Sequence, residues 1–137
     1  MAKYYDNTQD LSFTAAVNLS SYQYHAVTPG SVVGEVTSAT GASNPAPFGI
    51  LQNAPSAGQE AKVRVYGVSK LFAKTDGTCA LGFGKLFTFN ASGQGAHSGS
   101  ETGLAYGRWL DATVAVSTCA YGMVNFSAFG TCALSAS

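Results

Sequence analysis

Apolar and polar residues alternate along Leu11-Ser12-Phe13-Thr14 and again along Lys62-Val63-Arg64-Val65-Tyr66. A strand throws successive side chains to opposite faces, so the second run predicts Val63 and Val65 inside with Lys62 and Arg64 outside. Such alternation fits a sheet with one wet face. Runs rich in Val, Thr and aromatic residues predict further strands over Tyr22 to Val27, Ser31 to Val36, Phe48 to Gln52, Val68 to Phe72, Lys85 to Phe89, Thr113 to Ser117 and Tyr121 to Phe126. Breakers stand between most of them: Pro29-Gly30, Asn44-Pro45-Ala46-Pro47, Ala54-Pro55-Ser56-Ala57-Gly58 and Asp76-Gly77. Proline restricts φ there and glycine permits positive φ. No long stretch carries helical periodicity. The pattern predicts an all-β fold, a small β-barrel or β-sandwich of about eight strands.

The polar, glycine-rich stretch from Asn90 to Gly103 has no periodic apolar face and predicts a long exposed loop. The opening residues read as an arm, because a terminus is ordered only where something ties it down. The expected organisation is an N-terminal arm over residues 1–14 and one β domain over residues 15–137. One internal echo stands out. Phe48-Gly49-Ile50-Leu51-Gln52-Asn53-Ala54 and Tyr106-Gly107-Arg108-Trp109-Leu110-Asp111-Ala112 share aromatic-Gly-x-x-x-Asn/Asp-Ala. Two copies of one strand-turn-strand unit would explain it, since each glycine allows close backbone approach and each Asn or Asp can close a turn.

Composition changes the picture in one respect. The 137 residues suit one domain, yet only 10% are charged, far below the roughly 25% of ordinary soluble domains. Seven basic and seven acidic residues cancel. Few solvating charges imply a surface meant to be covered by partners. Lys3, Lys62, Arg64, Lys70, Lys74, Lys85 and Arg108 are scattered, with no basic stripe, which argues against a nucleic-acid partner. No apolar run approaches a membrane span, and Met1 to Asn7 lacks the apolar region of a secretory signal, so synthesis in the cytoplasm is expected. Cys79, Cys119 and Cys132 are odd in number and far apart, which predicts buried free thiols rather than a disulfide framework or a zinc site.

Candidate chemistry is sparse. Catalysis needs convergent titratable groups, and His25, His97 and the carboxylates are spread along the chain. Gly95-Ala96-His97-Ser98-Gly99 lacks the central serine of a nucleophile elbow. Gly82-Phe83-Gly84-Lys85 lacks the glycine and the hydroxyl residue of a phosphate loop, at Cys79 and Leu86. His25 is expected at a sheet surface, hydrogen-bonded. Three Asn-x-Ser sequons, at Asn18, Asn90 and Asn125, have no bearing without secretion. The aromatic residues keep a carbohydrate-binding module open as an alternative. The expectation is a non-enzyme with no catalytic residue, no cofactor and no metal.

Phe48-Gly49-Ile50-Leu51-Gln52-Asn53-Ala54-Pro55-Ser56-Ala57-Gly58-Gln59-Glu60-Ala61-Lys62-Val63-Arg64-Val65-Tyr66-Gly67-Val68, following Gly30-Ser31-Val32-Val33, resembles a family of tailed-bacteriophage capsid decoration (cement) proteins. The family carries a G-[IV]-L-Q-x-x-P-x-x-G-x-x-A-x-V-x-V-x-G run, and Gly107-Arg108-Trp109-Leu110-Asp111-Ala112 resembles its second element. The tail from Ser127 to Ser137 departs from the pattern. The resemblance implies a virion protein on the capsid surface that binds the major capsid protein, reinforces joins between its subunits, and assembles with itself as a homotrimer. Another β-rich virion component, a head fibre base or minor tail protein, is the alternative. Tyr4, Tyr5, Leu11 and Phe13 are the expected capsid or subunit contacts, because an aromatic, sparsely charged arm is poorly placed in water.

Overall fold

The computed structural model describes residues 8–39, 47–73, 83–84, 86–90, 92–97, 106–111 and 119–126. All regular structure among them is β: β1 (Gln9–Ala15), β2 (Ala26–Pro29), β3 (Glu35–Ser38), β4 (Gly49–Leu51), β5 (Glu60–Phe72), β6 (Leu86–Phe89), β7 (Gly95–His97), β8 (Gly107–Trp109) and β9 (Cys119–Asn125). Their hydrogen-bonded order is β1-β3-β2-β4-β5-β9-β8-β6-β7, and β1 also pairs with β5. The extra pairing closes the first five strands into a ring, a small barrel.

The ring is repeated. β5, β9, β8, β6 and β7 follow in the same order, and a parallel bridge from Ala73, just past β5, to Gly95 of β7 joins their ends. Strand by strand, β5 takes in the second ring the place of β1, and β6, β7, β8 and β9 take those of β2, β3, β4 and β5. The registers agree. Val27 lies opposite Gly49 and Ser38, as Phe87 lies opposite Gly107 and His97. Leu51 faces Val63 as Trp109 faces Gly122. The parallel contact of Ala15 with Val36 is matched by that of Ala73 with Gly95. One long strand therefore ends the first barrel and begins the second.

The sequence echo is the hairpin of each barrel. The Gln52 amide donates to Lys62 O at 2.8 Å, and that of Leu110 to Tyr121 O at 2.9 Å. Asn53 Oδ1 accepts the Lys62 amide at 3.0 Å, while Asp111 Oδ2 accepts the Tyr121 amide at 2.7 Å. The shared glycines are sites of close approach: a Cβ on Gly49 would lie 2.5 Å from Arg64 O, and one on Gly107 1.9 Å from Met123 O.

Each ring has its own core. The first holds Ala15, Leu19, Val27, Val36, Leu51, Ala61 and Val63. The second holds Leu71, Phe87, Trp109, Ala120, Val124 and Phe126, with Ala26 and Ile50 from the back of the first ring. The β6–β7 turn is planted there, the Ala26 amide donating to Gly93 O at 2.8 Å. Val65 packs against both cores. There the register with β1 slips, Gln9 facing Tyr66 but Asp10 facing Arg64, so Val65 is an extra residue in the strand. Gly67 follows at φ 110°, where a Cβ would come within 2.8 Å of Thr8 Cα. Only glycine takes that conformation without strain.

Several expectations need correction. The runs Lys62 to Tyr66 and Val68 to Phe72 are one strand of 13 residues, because the bulge bends the chain without breaking its pairing. Tyr22 to His25 is a turn, and the strand starts at Ala26. Pro29 is not a break: it ends β2 opposite Val36, and the turn lies over Ser31 to Gly34. The expected loop from Asn90 contains β7, whose three residues are too few for a periodic signal. The segment assigned to an arm enters the sheet at Gln9. Residues 1–7, 98–105, 112–118 and 127–137, with the predicted strand over Thr113 to Ser117, lie outside the described residues.

Candidate functional site

Because β5 serves both barrels, its outward side chains form one continuous row across the molecule, and the two ends differ in chemistry. At the first barrel the outward positions are Asp10 and Ser12 on β1 with Glu60, Lys62 and Arg64 on β5. Four of them pair with one another: Arg64 grips Asp10 through Nε and Nη2, at 2.7 and 3.0 Å, and Ser12 Oγ donates to Glu60 Oε2 at 2.6 Å. At the second barrel the corresponding positions are Val68 and Lys70 on β5 with Cys119, Tyr121 and Met123 on β9. Val68 lies opposite Met123, and Lys70 opposite Tyr121. Tyr66, Tyr121 and Met123 are 46%, 40% and 47% exposed. Two structurally equivalent faces thus carry paired charges in one barrel, and the partly exposed Tyr121 and Met123 beside Lys70 in the other.

A shallow cleft of about 220 Å³ marks the border, lined by Tyr24, Gln52, Arg64, Val68, Ser69, Lys70 and Tyr121. Arg64 also donates from Nη1 to Val68 O at 2.8 Å, so each of its three guanidinium nitrogens holds a partner. Gln52 Nε2 donates to Ser69 Oγ at 2.8 Å and Ile50 O at 3.1 Å. The Lys70 ammonium stands 5.6 Å from the centre of the Tyr24 ring, a cation–π distance. Tyr24 holds φ at 68°, unfavourable for a large side chain. It is clamped there from both sides, its amide on Leu51 O at 2.8 Å and its carbonyl accepting the Phe72 amide at 3.0 Å.

His25 is next in the chain and is buried, not at a sheet surface as its neighbours suggest. Its ring stacks on Phe72 at 4.9 Å and meets Tyr22 edge-on at 5.5 Å. Burial pushes its pKa below the usual histidine value, against weaker opposing contacts with the Gln23 and Tyr22 carbonyls. A neutral imidazole wedged between two aromatic rings packs the junction. Cys119 is exposed, against the expectation of buried thiols, because the odd positions of β9 face outward. Burial against its neighbours raises its pKa, with Lys70 acting the other way. Cys79 and Cys132 lie outside the described residues.

The expected contact residues divide. Tyr4 and Tyr5 lie outside the described residues. Phe13 faces inward, stacked on Phe48 at 5.2 Å against the first core, and Leu11, on the same side of β1 opposite Val63, is 41% exposed. The outward row of Tyr66, Val68, Tyr121 and Met123 was missed by sequence reasoning. Its signal is the alternation of small residues at Ala120 and Gly122 with large ones at Tyr121 and Met123, which marks the large side as the outer one. Among the described residues no three His, Cys, Asp or Glu side chains come together as a metal site, and no helix is long and apolar enough to cross a membrane.

No protein-family model and no curated protein matches the chain. Among solved structures it is similar to the N base of the head fibre gp8.5 of bacteriophage phi29. The TM-score is 0.60 at 12% identity, over 88% of this chain and 96% of that one. At that identity the likeness is one of fold.

Proposed function

We propose that the protein is a structural component of a phage virion, seated on the exterior of the capsid. There it reinforces joins between major capsid protein subunits as a homotrimer, without catalysis, cofactor, nucleic-acid or membrane partner. It is made in the host cytoplasm and carried on the particle. The observation that supports this reading best is the fold likeness to a head fibre base of a phage over nearly the full length of both chains. The resemblance of Gly49 to Gly67 to capsid decoration proteins points to the same place on the particle, and a sparsely charged composition suits a surface that is covered. A protein that binds only the intact shell stabilises it by RT ln(1 + [L]/Kd), ~2.7 kcal/mol per site at a hundredfold excess. Symmetry repeats that contribution over the shell.

A head fibre base is the second reading, favoured by the neighbour being one. Particles purified with and without the protein separate the two in a heat-induced genome-release assay. Reinforcement predicts earlier release from particles that lack it, reversed by adding the protein back. Unchanged release with loss of a surface appendage favours the fibre base. Absence of the protein from purified particles overturns both.

A further inference from the structure

The two barrels supply an internal control for what the fold itself requires of an outer face. At equivalent backbone positions the first barrel carries Asp10, Ser12, Lys62 and Arg64, and the second Val68, Lys70, Tyr121 and Met123. The first set shows that the positions accept charge, so neither packing nor pairing demands apolar side chains there. An apolar row kept in water gains nothing for the monomer and invites association. Among the described residues its rim is cationic. Lys70 lies beside Tyr121, and the exposed Arg108 lies opposite Met123 across β8–β9. The nearby carboxylate of Asp111 is already turned onto the Tyr121 amide. The Arg64 charge at the other border is balanced by Asp10.

We infer that the outward face of β5 and β9, centred on Val68, Tyr121 and Met123, is the surface by which the protein sits on the shell. Its partner is a protein surface that presents apolar side chains flanked by carboxylates. Apolar contact supplies the burial, and Lys70 and Arg108 supply orientation, since charged rims steer and register an interface more than they tighten it. This inference rests on the proposed virion role and goes beyond it by moving the contact from the N-terminal segment to the second barrel.

Three variants test it by co-sedimentation with particles lacking the native protein: Met123→Glu and Lys70→Glu on the face, and Lys62→Glu at the position equivalent to Tyr121 on the first barrel. Circular dichroism and thermal melts establish that each is folded. Met123→Glu and Lys70→Glu are expected to weaken binding about tenfold or more, the scale of a truncated interface anchor. Lys62→Glu is expected to bind as the parent does, and raised salt is expected to weaken the parent more than Lys70→Glu. If the parent binds and both face variants bind equally well, this surface is wrong and the virion role stands. If the parent does not bind, the virion role fails and this inference with it. If sedimentation of the free protein shows that Met123→Glu changes self-association while particle binding is kept, the face joins copies of this chain and the shell partner is overturned.

Discussion

The two barrels share strand order, register and hairpin closure, yet they fill their interiors differently. The first uses side chains of similar size, with Val27, Val36, Leu51 and Val63 meeting at its centre. At the same four places the second has Phe87, Gly95, Trp109 and Gly122. Large and absent side chains compensate: a Cβ on Gly95 would lie 2.8 Å from the Trp109 ring, and one on Gly122 2.4 Å from Leu71 Cδ1 and 2.9 Å from the Phe87 ring. Total volume constrains a core more tightly than the identity of any one residue. The second solution has a cost, since Trp109 Nε1 is buried without a hydrogen-bond partner.

The largest effect comes from exchanging one solution for the other a residue at a time. Trp109→Leu puts the first barrel's residue into the second and leaves a cavity, with an expected loss of about 3 kcal/mol in urea unfolding followed by circular dichroism. Gly95→Val alone overpacks the same space, at about 2 kcal/mol. The double variant should lose at least about 1 kcal/mol less than the two losses added, because each change supplies what the other lacks. Strict additivity would show that the two positions do not compensate, and the equivalence of the cores would fail.

A smaller effect tests the hairpins, where the barrels agree. Asn53→Ala and Asp111→Ala each strip an acceptor from a strand amide, and each should cost about 1–2 kcal/mol. Asp111→Asn keeps the acceptor and should cost less than Asp111→Ala. Asn53 also donates to Glu60 O at 2.9 Å, so Asn53→Asp should cost more than Asp111→Asn. Equal costs for those two exchanges would show that this second bond contributes nothing.

The smallest effect vanishes at neutral pH and concerns the junction between the barrels. His25 is neutral when folded, and its pKa is lowered by burial, so below about 6.5 the unfolded chain binds a proton that the folded chain resists. Its contribution is complete above that pH and is lost as pH falls through the folded value. His25→Gln should flatten the fall in melting temperature below about pH 6.5 relative to the parent. An identical pH profile would mean that other groups cause the acid sensitivity.

Much of the fold was legible because a strand's alternation is a local property. Val63 is buried and Lys62 exposed as the sequence predicts, while Val65 and Arg64 are half-buried, because there the strand passes from one barrel to the other. The echo of Gly49 to Asn53 in Gly107 to Asp111 was readable for a related reason: close approach and turn closure each depend on one residue type at one spacing. The rest of the duplication was not, since the matched cores read Val, Leu, Val in one copy and Gly, Trp, Gly in the other, and no local pattern equates them. The candidate face was hidden in the same way. Val68 and Met123 are ordinary strand residues until pairing sets them opposite each other, with Val68 half-buried and Met123 47% exposed. The sequence by itself determined which side of β5 is dry around Val63, because that follows from the order of apolar and polar residues there. Only the tertiary structure decided that one strand serves two barrels and which outer face stays apolar, because both depend on contacts between residues far apart in the chain.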